Sequence, residues 1–359
     1  MEKTFTFPGF VDVHVHFRDP GMPAAENRRS GTAAAKRGGF AAVVTMPNTQ
    51  PAGDGVAWVR EQIEDASLPV RIFPSACITK GRLGREVADL ERLAEAGAAF
   101  FTDDGSYVAD DRVMEEAMTR AAELNMAVCQ HAMDPAIQAG GVIRDCALAR
   151  RLNLPVIPVK TETAAIRRDI ALCRVTGCRL HVQHISTAEG VELVRAAQRE
   201  GLPVTAEATP HHLLLCCDDL TVDDANFKMA PPLGNREDRA ELRKAVKDGV
   251  LMFATDHAPH PAEKKSLGFA KSANGIIGLE TAIPITYAVM VEEEGMDIES
   301  WARAWHEMPR WIVRGIGETA ATTVTVGAAR EVKVGAFASL SRNCPYDGMK
   351  FTCWPKEAL

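Results

Sequence analysis

The stretch FVDVHVHFRDPG, residues 10–21, runs apolar and strand-like up to Phe17 and then breaks at Arg18, Asp19, Pro20 and Gly21. Residues two apart on a strand face the same way, so His14 and His16 share one side and can grip one ion at the strand's end. Seven further short, β-rich apolar runs follow: AAVVTMP (41–47), VRIFPSA (70–76), AAFFTD (98–103), MAVCQH (126–131), RLHVQH (179–184), LPVTAEATP (202–210) and VLMFATDH (250–257). Between them lie segments such as ENRRSGTAAAKRGG, DRVMEEAMTRAAELN and TAEGVELVRAAQREG, with apolar residues at helical spacing and Gly or Asn at the stop. Eight strand–helix alternations within about 250 residues predict an α/β chain folded as a (β/α)8 TIM barrel rather than an open doubly wound sheet. No phosphate-binding GxGxxG or GxxxxGK[ST] stands where a dinucleotide or P-loop fold would need it. From Ile316 the texture changes to Gly-punctuated β-rich sequence, TVTVGAAREVKVGAFASL. The expected division is a barrel domain at 1–315 and a small, reduced C-terminal β segment at 316–359 packed on it.

Active sites of this architecture lie at the C-terminal ends of the strands. Five of the eight runs end in a candidate metal ligand: His14 with His16, the pair Asp103–Asp104, His131, His184 and Asp256. Of the ten histidines, only His306 lies outside a strand, a strand end or the loop just after one. Imidazoles mixed with carboxylates suit Zn2+, and also Mn2+ or Co2+, better than Ca2+ or Mg2+. The alternative, two histidines satisfied by hydrogen bonds in a polar barrel top, leaves the other ligand types at equivalent heights unexplained. His181 and His184 are three apart and face opposite sides of a regular strand, so only one points inward; the terminal position favours His184, which leaves His181 to packing. His211 and His212 read as holders of loop backbone, and His257 as a structural neighbour of Asp256. Cys129, Cys216 and Cys217 have no thiolate spacing and read as small buried residues.

Composition narrows the partners. The 359 residues are 46% hydrophobic and 25% charged, with a formal net charge of -7 and dispersed Lys and Arg, which leaves no footprint for nucleic acid. Nine cysteines, an odd number without a CxxC pair, suit a reducing compartment, and the cytoplasm is expected. No apolar run reaches the roughly 18 to 20 residues needed to cross a bilayer, so no membrane partner is expected.

The motifs GFVDVHVHFRDPG (9–21), TMPNTQP (45–51), FTDDG (101–105), HVQHIST (181–187), EATPHHLLL (207–215), FKMAPPL (227–233) and ATDHAPH (254–260) together resemble the dihydroorotase family of the amidohydrolase superfamily. The resemblance implies a metal-dependent cyclic amide hydrolase that interconverts (S)-dihydroorotate and N-carbamoyl-L-aspartate in de novo pyrimidine biosynthesis. It implies His14 and His16 as first-strand ligands, His131, His184 and Asp256 as those of the fifth, sixth and eighth strands, and Asp256 as the catalytic proton carrier. It also implies that Arg18, Asn48 and His260 hold the substrate carboxylate. The position of Arg18, two residues beyond His16, is itself suited to a bidentate grip on a carboxylate. The bland alternative is a surface Arg18–Asp19 ion pair, worth at most about 1 kcal/mol. Relatives acting on hydantoins, dihydropyrimidines or allantoin resemble the chain in HxH and barrel but lack this arginine.

Many amidohydrolases bridge two metals with a carboxylated lysine on the fourth strand, yet AAFFTDDG contains no lysine. Asp103 and Asp104 are adjacent and cannot both face inward. Asp104 stands 27 residues before His131, the spacing expected in the type I branch whose fourth-strand ligand is aspartate, so Asp104 is the expected ligand and Asp103 its support. Two zinc ions are expected, or one tightly held if the shorter aspartate weakens the second site. The chain departs from the family at Ala230, where many members carry Asn or Arg, and at Gly234, where many carry Arg, so one substrate contact is expected to be missing. Members also usually carry about 45 to 50 residues before the first barrel strand, which predicts a satellite β structure here that is truncated or rebuilt from the tail alone. A homodimer is the default assembly, and the resemblance adds a complex with aspartate transcarbamoylase. A non-catalytic scaffold for that enzyme is the alternative from a different class, although such relatives typically lose metal ligands that this chain keeps.

Overall fold

The computed structural model describes residues 2–356. Ten strands are found among them: β1 (Lys3–Phe7), β2 (Phe10–Val15), β3 (Phe40–Thr45), β4 (Arg71–Pro74), β5 (Ala127–Gln130), β6 (Arg179–Val182), β7 (Val204–Ala208), β8 (Leu251–Phe253), β9 (Thr322–Glu331) and β10 (Lys350–Pro355). Every residue of β2 is buried, as expected of a parallel strand covered by helices. β2, β3 and β4 pair in parallel, and so do β5, β6, β7 and β8. Bridges join the two sheets into a ring: Phe101 pairs with both Ala76 and Val128, and Val15 pairs with His257. The ring has eight staves with helices around it, a (β/α)8 barrel.

The run 98–103 differs from its expected form. It pairs through Phe101 alone, although Ala99 N–H still donates to Pro74 O and Thr102 N–H to Ala76 O, each at 2.8 Å. The stave ends early because Asp103 turns its carboxylate toward the loop after β4, where it accepts from the N–H groups of Ile78 (2.9 Å) and Thr79 (3.0 Å). Other strands also stop sooner than their sequence suggests, so that His16, His131, His184 and Asp256 stand one to three residues beyond β2, β5, β6 and β8. Ladder pairing fails where the backbone leaves the β region. Arg18, His184 and Asp256 have φ of 56°, 33° and 48°, a left-handed conformation that costs a residue with a side chain about 1 to 3 kcal/mol and persists only where the surroundings impose it.

Helices form where capping and spacing agree. Asn27 caps Arg28–Arg37 and Ser30 returns the bond to the Asn27 backbone. Thr187 caps Ala188–Arg199, which buries Val191, Val194 and Ala197 along one stripe. Under the start of β2, the helix Ile298–His306 drives Trp301 to 5.5 Å from the Phe10 ring and Trp305 to 5.0 Å from Phe253. Both indole N–H groups donate to Thr286 Oγ1, at 3.1 and 3.2 Å, so these large buried rings leave no polar atom unpaired.

β1, β9 and β10 form a separate antiparallel sheet in that order. The tail therefore does not build the satellite alone. β9 has two edges to satisfy, and Lys3–Phe7 covers one of them in register with Val326 to Thr322. Thr322 fastens this sheet to the barrel by accepting from Phe10 N–H (2.9 Å) and donating to Gly39 O (2.8 Å). Gly9, between β1 and β2, lies so close to Ala320 O that a Cβ would come within 2.1 Å, so only glycine fits. No helix among the described residues is long and apolar enough to cross a membrane.

Candidate active site

Barrel closure brings residues 14, 16, 104, 131, 184 and 256 to one point. Asp104 Oδ1 lies 3.4 Å from His14 Nε2 and 3.5 Å from both His131 Nδ1 and His184 Nε2, while its Oδ2 lies 3.4 Å from His16 Nε2. Asp256 Oδ1 is 3.0 Å from His16 Nε2 and 3.6 Å from His14 Nε2. His131 Nδ1 and His184 Nε2 are 2.9 Å apart. Two donor groups are compact enough for an ion, His14–His16–Asp256 and His14–Asp104–His184, and they share His14. His14 Nε2 and Asp104 Oδ1 are buried without any hydrogen-bond partner. Such orphans are rare because they forfeit hydration, and a mixed imidazole–carboxylate set with unpaired donors fits a divalent transition metal.

The electrostatics of Asp104, Asp256, His16 and His131 favour the forms that bind a cation. Burial alone would raise the pKa of Asp104 and Asp256, but the His14 charge beside Asp104 and the His16 hydrogen bond to Asp256 hold both carboxyls well below the usual range. Burial lowers His16 and His131 below the ordinary histidine value, which favours the neutral imidazoles that metals require. His14 moves the other way, because Glu207 and Asp104 overcome the burial penalty.

A ring of supporting residues, not anticipated from the sequence, orients these side chains. Glu207 on β7 accepts from His14 Nδ1 (2.5 Å) and His181 Nε2 (2.9 Å), and its Oε1 also takes the His184 N–H at 3.1 Å. Burial opposes this charge, yet His14 and His181 pull its pKa down to about 2. With Nδ1–H committed to Glu207, His14 presents Nε2 to the cluster. His181 is thus buried outside the cluster, where it joins Glu207 through Nε2 and Thr205 Oγ1 through Nδ1 at 2.8 Å. Asp12, whose carboxyl burial pushes up to about 7, accepts from Thr255 N–H (3.0 Å) and His14 N–H (3.2 Å) and so ties β2 to the turn before Asp256. A carboxylate inside an otherwise apolar strand was the available signal for both Asp12 and Glu207.

Beside the cluster opens a cavity of about 280 Å³ lined by His16, Asp104, His131, His184 and Asp256, with Arg18, Asn48 and His260 on its walls. Arg18 Nε donates to Pro259 O (3.2 Å), and its Nη2 stands 3.5 Å from His260 Nε2. The feared Arg18–Asp19 pair is absent, since Asp19 instead bonds Arg28 at 3.3 Å. Burial draws the Arg18 guanidinium down to about 10, which still leaves it charged at neutral pH. Asn48 Oδ1 accepts from His16 Nδ1 at 2.8 Å, so its amide nitrogen is the end left for a ligand. His260 Nε2 donates to Asn274 O at 2.7 Å, and burial, then the Arg18 charge, pushes its pKa down to about 3.

The remaining candidates fall elsewhere. Asp103 serves the β4 loop. His257 Nδ1 accepts from Gly278 N–H (3.1 Å) and Nε2 faces Glu26 at 3.4 Å. His212 Nε2 donates to Pro231 O (3.1 Å), while the neighbouring His211 Nε2 is buried without a partner. Cys129, Cys216 and Cys217 are buried free thiols. Ala230 lines the cavity with no polar group, and a Cβ at Gly234 would meet Asp238 Cβ at 2.5 Å and Ser186 O at 2.7 Å, so this backbone admits no larger residue there.

A family model described as dihydro-orotase-like matches residues 4–190. Dihydroorotase of Geobacillus thermodenitrificans (strain NG80-2) is 42% identical over 359 residues, covering 97% of this chain and 84% of that protein. The chain belongs to the dihydroorotase family. Another member, dihydroorotase of Carboxydothermus hydrogenoformans, is 41% identical over 99% of this chain and 85% of its own length. Among solved structures, the L-hydantoinase (dihydropyrimidinase) of Arthrobacter aurescens superposes with a TM-score of 0.82 at 26% identity, covering 98% of this chain and 83% of that one. The dihydropyrimidinase of Brevibacillus agri NCHU1002 shares the fold at a TM-score of 0.80 and 22% identity, covering 98% of this chain and 82% of that one. This dihydroorotase-family chain is therefore a cyclic amide hydrolase on a TIM barrel.

Proposed function

We propose that the chain is a zinc-dependent dihydroorotase that opens (S)-dihydroorotate to N-carbamoyl-L-aspartate and closes it again, in de novo pyrimidine biosynthesis in the cytoplasm. The observation that carries this substrate is Arg18: a half-buried guanidinium with no carboxylate partner among the described residues, on the wall of the cavity that holds the ligand cluster. Hydantoins and dihydropyrimidines offer nothing for that charge, whereas dihydroorotate carries a carboxylate. Arg18 and the Asn48 amide nitrogen take it, and the anion offsets the Arg18 charge in the cavity wall.

His14, His16 and Asp256 would hold one zinc ion and the group His14–Asp104–His184 a second, with His131 standing 3.5 Å from Asp104 to join it; one tightly held ion is the smaller version of the same site. When bound, zinc acidifies water and polarises the amide carbonyl. Asp256 accepts a proton from the attacking water as the C–O bond forms and delivers it to the ring nitrogen as the C–N bond breaks. Ring closure reverses these transfers. Asn48 and Glu207 hold His16 and His14 in the tautomer whose Nε2 faces the cluster.

Metal analysis of protein purified without chelator, alongside ring-opening assays on dihydroorotate and hydantoin, tests the reading: zinc with turnover of dihydroorotate supports it, and turnover of hydantoin alone transfers the chain to the other cyclic amidases. Arg18→Met is expected to raise KM for dihydroorotate by about 100-fold, the scale of a lost charge-assisted pair. Unchanged kinetics would remove the carboxylate from the assignment. Glu207→Gln is expected to weaken metal binding about 10- to 100-fold, read by chelator competition, because His14 loses the carboxylate that fixes its ring.

A further inference from the structure

One wall of the cavity is built by Ala258, His260, Asn274 and Gly275 of the loop from Ala258 to Ile276, and two of the side chains that tie this loop, Lys265 and Asn343, do not line the cavity. Three consecutive carbonyls of this loop are tied from behind. Lys265 Nζ donates to Ala273 O (2.9 Å) and Gly275 O (2.9 Å) and also to Lys228 O (3.2 Å), so all three of its N–H bonds are in use. His260 Nε2 donates to the carbonyl between them, Asn274 O. Asn343, buried in the tail segment, donates through Nδ2 to Gly275 O (3.1 Å) and Ala258 O (2.9 Å), and its Oδ1 accepts the His260 N–H at 3.1 Å. Gly275 has φ of 120°, and a Cβ there would meet Ala258 Cβ at 2.6 Å, so the backbone is folded tightly against the segment after β8 that carries His260. Lys228, whose own Nζ donates to Ala270 O (3.1 Å) and Ser272 O (2.8 Å), anchors the preceding turn.

We propose that Lys265 and Asn343 are positioning residues for substrate: by holding the Gly275 carbonyl from two sides they set His260 and the Asn274–Gly275 wall in the shape that receives the ring. Neither side chain lines the cavity, while His260, Asn274 and Gly275 do. Neither belongs to the ligand cluster. Releasing them loosens the wall without disturbing metal or Asp256, so the loss falls on substrate binding. This rests on the dihydroorotase reading, since the wall is judged by the affinity for dihydroorotate.

The test is steady-state kinetics on dihydroorotate, with metal content, for Lys265→Met, Asn343→Ala, the double variant and Lys265→Arg. Each of the first two is expected to raise KM about tenfold with kcat and metal content within about twofold of wild type, the scale of losing hydrogen bonds to a charged or buried donor. The double variant raises KM by less than the product of the singles, because both release the same carbonyl. Lys265→Arg recovers part of the loss, since a cation again faces the carbonyls. Unchanged KM in both singles overturns the assignment, and so does a fall in kcat and metal content together with the KM change. If the methionine variant does not fold, Lys265→Gln is judged by the same split between KM and kcat. A wild-type protein that does not turn over dihydroorotate overturns the substrate reading instead.

Discussion

Asp256→Asn is expected to lower kcat for ring opening by about 10³-fold, within the range for loss of an acid–base group, while the protein keeps its metal. Asn has the size of Asp and one oxygen to offer a cation, but it cannot carry a proton between water and the ring nitrogen. The residue is placed for that duty by its surroundings. It is buried, holds a left-handed φ of 48°, lines the cavity, and sets Oδ1 3.0 Å from His16 Nε2. The imidazoles keep its carboxyl ionised and so ready to accept. The measurement is kcat in both directions together with bound metal per chain. Retained metal with near wild-type turnover would assign the proton to another group.

Asp104→Ala is expected to lose most of the bound metal and all measurable activity. Among the described residues no other side chain touches four imidazoles of the cluster, which reach Asp104 from β2, β5 and β6. Asp104 is several bonds shorter than a carboxylated lysine, so its backbone must stand nearer to the imidazoles it meets. Arg82 accounts for part of that approach: its Nη2 donates to Asp104 O (2.7 Å) and Ser106 Oγ (2.9 Å), while Asp103 holds the loop on which Arg82 stands. Asp103→Ala is accordingly expected to keep much of its metal, and to lose about 1 to 3 kcal/mol of stability because Ile78 and Thr79 N–H groups are left unpaired. Apoprotein should regain activity from zinc alone. A bicarbonate requirement would mean that a lysine supplies the bridge after all.

The residues that meet at the rim were readable from the sequence because they form a local pattern repeated around a ring. A strand of period two ending in HxH, and further strands ending in His or Asp, put their polar ends at one rim whatever the details of closure. The choice of His184 over His181 and of Asp104 over Asp103 needed the family spacing as well as alternation. The strand limits were less readable. Extended propensity continues through His16, His131 and Asp256, but the ladder stops where the chain must bend to aim them, and three residues at this rim adopt the left-handed backbone that no propensity announces.

By itself the sequence determined the barrel, the rim on which chemistry gathers, the His and Asp side chains brought together there, and the cation beside them, because periodicity and strand-end position are local properties. Only the tertiary structure decided which neighbours make those residues competent. Glu207 orients His14 across 193 positions, Asn48 orients His16, Arg82 binds the Asp104 carbonyl, Lys3–Phe7 joins the tail sheet, and Asn343 reaches back to the loop of His260. Each of these contacts exists because ring closure and the packed tail bring distant segments within hydrogen-bond reach. Since a hydrogen bond depends on distances of about 3 Å and on direction, it is set by how the whole chain packs and leaves no periodic trace in the sequence.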